Sequence, residues 1–327
     1  MNVLAGIDIG GTKCAVCLGA TGGAESEGIR LIDRVAFPTN GGPDAILSRL
    51  AEELERLLAK HGFSSPDAVG VSCGGPLDSR RGLALSPPNL PGWDRIDVLK
   101  PFRQRFGAPV ALQNDANACA LAEWKWGAGR GAANVVFLTF GTGMGAGLIL
   151  DGRLYTGTND MAGEIGHVRL EPYGPVGYGK AGSFEGYCSG AGIAQLAREA
   201  AAERLARGEA VAFCPRERDI PSVTALAVAE AAHAGDELAR EIYRFVGRQL
   251  GRGLAILVDL LNPERIVIGS IYVRQRELLE SAMTEALASE GLSLSLSACR
   301  IVPAELNERV GDYAGLSVAE EARIANL

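Results

Sequence analysis

A chain of 327 residues, 47% of them hydrophobic, can bury a large core and is longer than one ordinary domain. Its net charge of −7 repels a phosphate backbone, so no nucleic-acid partner is expected. Apolar runs such as 254–261 fall short of the roughly 18 residues that span a bilayer, and seven scattered cysteines fit a reduced cytoplasmic setting with neither leader nor membrane anchor.

Residues 3–9 predict a buried strand, Gly10-Gly11-Thr12-Lys13 a tight turn, and 14–19 the returning strand, so the chain opens on a β-hairpin. Cys14 and Cys17 form a C-x-x-C spacing, but on a strand this separation puts them on opposite faces, which argues against a metal or redox pair. Helical spacing runs from 43 to 61, and 68–72 is a short apolar strand. The Pro/Gly-rich stretch 86–93 is too apolar for a linker and predicts a structured loop. A strand at 109–113 runs into a helix at 115–126, and strands at 134–139 and 147–150 bracket a second glycine turn. Helices follow at 190–207, 222–234 and 236–261, then a strand at 265–268 ending at Gly269 and a closing helix at 312–324. No repeat of 20 to 50 residues occurs, yet two hairpins with glycine turns suggest a duplicated unit.

The turn Asp8-Ile-Gly10-Gly11-Thr12-Lys13 offers backbone N–H groups, a hydroxyl and a positive charge to an anion, although paired glycines also serve as an ordinary hairpin turn. It is no P-loop, since no helix follows. Asp8, a carboxylate between two isoleucines, calls for a cation, which Mg²⁺ carried on ATP and water would supply. The second turn, Gly141-Thr142-Gly143-Met-Gly-Ala, has the letters of a dinucleotide fingerprint, but a strand follows where that fingerprint opens a helix. Two phosphate-binding turns fit better. Asn114 and Asp115 stand at a strand end and a helix start, where Asp115 either caps the helix or accepts a proton from an attacking hydroxyl. Glu164-Ile-Gly-His167 and Glu185 supply the donors and acceptors that sugar hydroxyls need, whereas His61 and His233 lie near helix ends and are expected at the surface.

In order, Asp8-x-Gly-Gly-Thr-Lys13, Gly74-Gly-Pro-Leu-Asp78, Asn114-Asp-Ala-Asn117, Gly141-Thr-Gly-x-Gly145, Glu164-x-Gly-His167 and Asn262-Pro-x-x-Ile-Val-Ile-Gly269 resemble the ROK family of sugar kinases and repressors. The resemblance implies an α/β chain of the actin-like ATPase (RNase H-like) fold, two lobes with a central cleft. The expected division is 1–113 with 311–327 as the smaller lobe and 114–310 as the larger. It further implies an ATP-dependent sugar kinase, a glucokinase-like hexose phosphotransferase acting on glucose or an N-acetylhexosamine, at O6, with Asp115 as general base. ATP would be held by Asp8, Gly10, Gly11, Thr12, Lys13, Gly141, Thr142, Gly143 and Gly269, with Mg²⁺ near Asp8 through phosphate and water. The sugar would meet Gly74, Gly75, Asn89, Asn114, Asp115, Glu164, His167 and Glu185. A homodimer is the family expectation. Polyphosphate as donor, and a sugar-binding sensor or repressor-like protein without turnover, are the alternatives. With the turn beginning at Asp8, no DNA-reading helix is expected before it, which favours the kinase.

The family commonly carries three zinc-binding cysteines after Glu-x-Gly-His. Here the matching stretch has Val176, Tyr178 and Ser183 at those positions, so no zinc is expected and some other group must orient His167. The sequence does not name that group; the loop itself is expected to be held by packing of Tyr178 and Phe184 instead of by metal.

Overall fold

A computed structural model describes residues 1–22 and 28–326. Its elements begin with β1 (Asn2–Ile9), β2 (Lys13–Thr21), β3 (Ile29–Pro38), α1 (Pro43–Lys60), β4 (Ala68–Cys73) and β5 (Leu77–Asp78). β6 (Leu83–Leu85), β7 (Asp94–Asp97), α2 (Lys100–Phe106), β8 (Val110–Asn114) and α3 (Asp115–Trp126) follow. Next are β9 (Val135–Phe140), β10 (Met144–Leu150), β11 (Arg153–Tyr155), the small pair β12 (Val176–Gly177) and β13 (Lys180–Ala181), and α4 (Phe184–Tyr187). The remainder is α5 (Gly190–Ala206), α6 (Ala225–His233), α7 (Glu237–Leu261), β14 (Arg265–Ile268), α8 (Ile271–Glu290), α9 (Ser293–Ala298), β15 (Arg300–Pro303) and α10 (Val310–Ile324).

Two five-stranded sheets repeat one order, β3-β2-β1-β4-β8 and β11-β10-β9-β14-β15. In each, a hairpin closed by a glycine turn supplies the first two strands, and two further strands join in parallel, β4 and β8 beside β1, β14 and β15 beside β9. This is the duplicated RNase H-like plan of the actin-like ATPase fold. No helix among the described residues is long and apolar enough to cross a membrane.

The chain divides into two compact units. Unit 1 holds Met1–Ala133, Gly147–Ala162 and Glu305–Leu327, and unit 2 holds Asn134–Ala146 and Gly163–Ala304. Compared with the division expected at residue 113, α3 falls in unit 1 because it packs against α10. The Ser317 hydroxyl donates to the Ala118 carbonyl at 3.0 Å. The buried Glu123 carboxylate, near the end of α3, accepts N–H groups from Ala128, Glu305 and Leu306.

One face of the first sheet buries Ile7, Val16, Val71 and Leu112 against Leu50 and Leu54 of α1 and Phe102 of α2. The other receives α10, through Leu4, Cys17, Leu316 and Ala319. Cys14 and Cys17 therefore do lie on opposite faces, Cys14 in the first cluster and Cys17 in the second. The seat for α10 is made by absent side chains. A Cβ on Gly70 would stand 2.1 Å from the Ala319 nitrogen and 2.2 Å from the Gly315 oxygen, and one on Gly6 would stand 2.8 Å from the Leu316 nitrogen. Both obstacles at Gly70 are backbone, which cannot swing aside, so Gly70→Ala is expected to cost about 3 kcal/mol. A urea unfolding midpoint equal to that of the native protein would contradict this close approach.

Candidate active site

In unit 1, β1, β4 and β8 run parallel, with Asp8 opposite Ser72, Ile9 opposite Cys73, and Cys73 opposite Asn114. Asp8, Gly74, Gly75, Asn114 and Asp115 thereby gather at the carboxyl edge of one sheet, where open α/β sheets present groups to ligands. The edge is tightly drawn: a Cβ on Gly75 would lie 3.3 Å from the Asn114 side-chain nitrogen.

The structure separates the roles of Asn114 and Asp115. Asn114 is the N-cap of α3, extended at φ −64° and ψ 149°, and its Oδ1 accepts the Asn117 N–H at 3.1 Å. Asp115 is the first helical residue, and its Oδ1 accepts the Ala116 N–H at 2.8 Å. The capping reading of Asp115 therefore lapses. Its carboxylate keeps contact with solvent while sitting amid dense protein, and that desolvation raises its pKa above the ordinary carboxylate value, against the lowering effect of backbone hydrogen bonds.

Asp8 is more strongly perturbed. Burial first, then the negative charges of Asp115 and Asp312, push it up to about 7, with Lys13 and Arg34 opposing. Asp312, in the first turn of α10, is held by Arg34 of β3 at 2.5 Å. Nothing in the sequence marked Asp312, which joins this carboxylate group only through the packing of α10 on the sheet.

The first glycine turn is closed by the Gly10 N–H on the Lys13 carbonyl at 3.1 Å and by the Thr39 hydroxyl on the Gly10 carbonyl at 2.6 Å. Thr12 and Lys13 are exposed. Any side chain on Gly11 would meet the Asn89 oxygen at 2.4 Å, so the turn lies against the 86–93 loop and brings Asn89 to it. That loop is anchored by Leu90 and Trp93, 3% and 1% exposed, and by the Ser86 N–H on the Trp93 carbonyl, which is why it holds a shape.

In unit 2, the second glycine turn links β9 to β10. The Gly190 N–H at the start of α5 donates to the Gly141 carbonyl at 2.8 Å, and the Glu185 carboxylate accepts the Met144 N–H at 2.9 Å. A Cβ on Gly143 would come within 2.7 Å of that carboxylate, and one on Gly166 within 3.3 Å of the Glu185 Cβ. One oxygen of Glu185 is thus committed to the glycine turn, which ties the turn to the Glu164–His167 segment. Thr142 is exposed within the turn. Gly269, at the end of β14, donates to the Leu138 carbonyl at 3.0 Å. Ser270 follows at φ +56°, and its hydroxyl lies 3.5 Å from where a Gly141 Cβ would stand. Sequence reading passed over Ser270, although a non-glycine residue forced into that conformation is what marks it. Glu164 and His167 are exposed on a 3-10 turn, Ile165–His167. His61 and His233 close helices, bonded to Asp33 and Gln275, as expected of surface residues.

The ROK family pattern matches residues 4–317. The chain belongs to the ROK family. It is 34% identical to the glucokinase of Halalkalibacterium halodurans over 270 residues, which are 81% of this chain and 78% of that one. The ROK hexokinase of Thermus thermophilus has the same fold with a TM-score of 0.79 at 29% identity, over 99% of this chain and 100% of that one. A ROK glucokinase from Streptomyces griseus, solved in complex with glucose and AMPPNP, gives a TM-score of 0.75 at 28% identity, over 98% and 99% of the two chains.

Among the described residues of this ROK chain, no three or more His, Cys, Asp or Glu side chains are grouped to hold a metal. The three positions where the family commonly has cysteines carry other fastenings. Val176 exchanges two backbone bonds, both 2.9 Å, with the Gln195 amide. Ser183 caps α4 by accepting the Gly186 N–H at 3.1 Å. Tyr178 sets its ring against that of His167, with centroids 6.3 Å apart. Phe184 does not touch solvent and fills the space opposite Gly253, so of the two aromatics it belongs to the core.

Proposed function

We propose that this sugar kinase transfers the γ-phosphoryl group of ATP to a hexose, at O6 of a glucose-like sugar, with Asp115 accepting the proton of the attacking hydroxyl. The observation that carries the reading is the division of labour at α3: Asn114 supplies the cap, and the Asp115 carboxylate, at the carboxyl edge of the sheet, is near enough for its charge to act on Asp8. Glucokinase relatives and the glucose complex of a neighbour support the acceptor class. A pKa raised by burial makes Asp115 a better proton acceptor than an ordinary carboxylate.

The remaining roles follow from residue type and position. Asn114, through its amide nitrogen, with Gly74, Gly75, Asn89, Glu164, His167 and Glu185, would bind sugar hydroxyls. The turns Gly10–Lys13 and Gly141–Gly143, with Asp8 and Gly269, would bind ATP, since glycines let N–H groups come close to phosphate oxygens. Asp8 fits a nucleotide-borne Mg²⁺: it is a desolvated carboxylate crowded by two others, and an ion that already has phosphate and water ligands needs only one such group. When bound, Mg²⁺ would neutralise charge building on the phosphoryl oxygens. The reading also includes a cytoplasmic homodimer without zinc.

The experiment is a coupled ADP-release assay with MgATP against a panel of hexoses and N-acetylhexosamines. Glucose is expected to give the highest kcat/KM and a 6-phosphate product, and elemental analysis of the same preparation is expected to return no stoichiometric zinc. Absence of turnover with every sugar, or an N-acetylhexosamine preferred over glucose, would overturn the corresponding part.

A further inference from the structure

His167 ends its 3-10 turn exposed, with its N–H on the Glu164 carbonyl at 3.1 Å, and two side chains of the hairpin of β12 and β13 reach it. The Tyr178 and His167 rings meet edge to face, 6.3 Å between centroids and 80° between planes, the arrangement favoured by the charge distribution of aromatic rings. The Lys180 ammonium donates to the His167 carbonyl at 2.8 Å. Two residues of the hairpin, one on each side of Gly179, thus hold the imidazole ring and the backbone of the same residue.

The hairpin itself is a rigid support. β12 and β13 pair as Val176 with Ala181 and Gly177 with Lys180, leaving Tyr178-Gly179 as a two-residue turn. Both turn residues have positive φ, +44° and +75°, the pattern of a type I′ turn that ordinarily takes Asn-Gly. The base is fastened by Gln195 on Val176, by the Gly182 N–H on the Pro175 carbonyl at 3.0 Å, and by the Tyr187 hydroxyl on the Tyr173 carbonyl at 2.7 Å. A bulky side chain in the left-handed region is disfavoured, and Tyr178 recovers little by burial, being 75% exposed. Fold stability alone gives no reason for tyrosine at this tip, whereas the contact with His167 does.

We infer that Tyr178 is a positioning residue: its ring fixes the rotation of the His167 imidazole, and so the direction in which a ring nitrogen meets the acceptor sugar. The inference rests on the reading of His167 as a sugar ligand. An imidazole free to rotate must be ordered each time sugar binds, whereas one held by a neighbouring ring is ordered beforehand. The measure of the effect is sugar affinity, with nucleotide affinity and stability untouched.

Tyr178→Ala is compared with Tyr178→Phe, which keeps the ring, on the intact chain. With three histidines in the sequence, the imidazole proton resonances resolve readily, and His167→Gln assigns the one required. Tyr178→Ala is expected to shift the His167 resonance and raise the sugar KM about three- to tenfold, with the KM for ATP and the melting temperature unchanged. Tyr178→Phe is expected to match the native protein in all of these. An unshifted resonance in Tyr178→Ala removes the contact, and a shifted resonance with unchanged sugar KM removes its positioning role. A fall in melting temperature that accounts for the KM change makes the residue structural, which also overturns the inference. Should the native protein turn over no sugar, the functional reading fails separately, and the resonance comparison still decides whether Tyr178 holds His167.

Discussion

Asp115→Asn is expected to lower kcat about a thousandfold while leaving the KM for sugar and for ATP within a few-fold of the native values. The substitution keeps size, helix start and an oxygen able to accept the Ala116 N–H, and the cap on Asn114 is untouched, so the fold has no reason to respond. What it removes is the capacity to take a proton. The same argument fixes the sign of the pH dependence. Burial raises the Asp115 pKa, the base works only when ionised, and kcat in the native protein therefore falls as pH drops through that raised value. A variant retaining more than about a tenth of native kcat would show that positioning and electrostatics suffice and that Asp115 is no base.

The chemistry-bearing segments were the legible part of the sequence, because each stands where a regular element stops. The α3 start and the bounds of β14 agree with the sequence pattern, since a polar residue or glycine ends an apolar run there. Less legible were elements whose identity depends on partners. β3 alternates exposed and half-buried residues at a sheet edge, and the three-stranded β5-β6-β7 sheet is built from strands of two to four residues. Helix α8 went unread despite its 20 residues: it starts at Ser270 without a side-chain cap and kinks at Gln275, so its apolar residues follow no single face. At the site, the carbonyl and carboxylate partners of the glycine turns, Asn89 and Glu185, could be named as residues, but their contacts with Gly11 and Gly143 arise from tertiary packing. Asp312 and Ser270 escaped for the same reason. Each lies outside every motif and matters through what the fold sets beside it.

Asp8→Asn is expected to abolish sugar phosphorylation and yet to stabilise the protein without ligands at pH 8. Asp8 has a native pKa of about 7 against 3.8 for the unperturbed group, owing to burial and then to Asp115 and Asp312. A native pKa above the unfolded one means that the folded state binds the proton more tightly. The stability linked to that proton is whole below about pH 4 and is lost as pH rises through about 7, so above neutrality an ionised Asp8 opposes folding. Asparagine carries no charge to desolvate or repel, and its gain at pH 8, allowing for relaxation and residual water, is about 2 kcal/mol, shrinking to near zero at pH 4. Melting curves of both proteins at pH 4 and pH 8 test this: the variant should melt higher at pH 8, with the difference closing at pH 4. A variant that melts lower at pH 8 would mean that the Asp8 carboxylate is stabilised by its cationic neighbours after all, Lys13 and Arg34 outweighing burial and the paired aspartates. If the variant melts higher and is inactive, the carboxylate is kept at the expense of stability, as expected of a group whose partner arrives with the substrate.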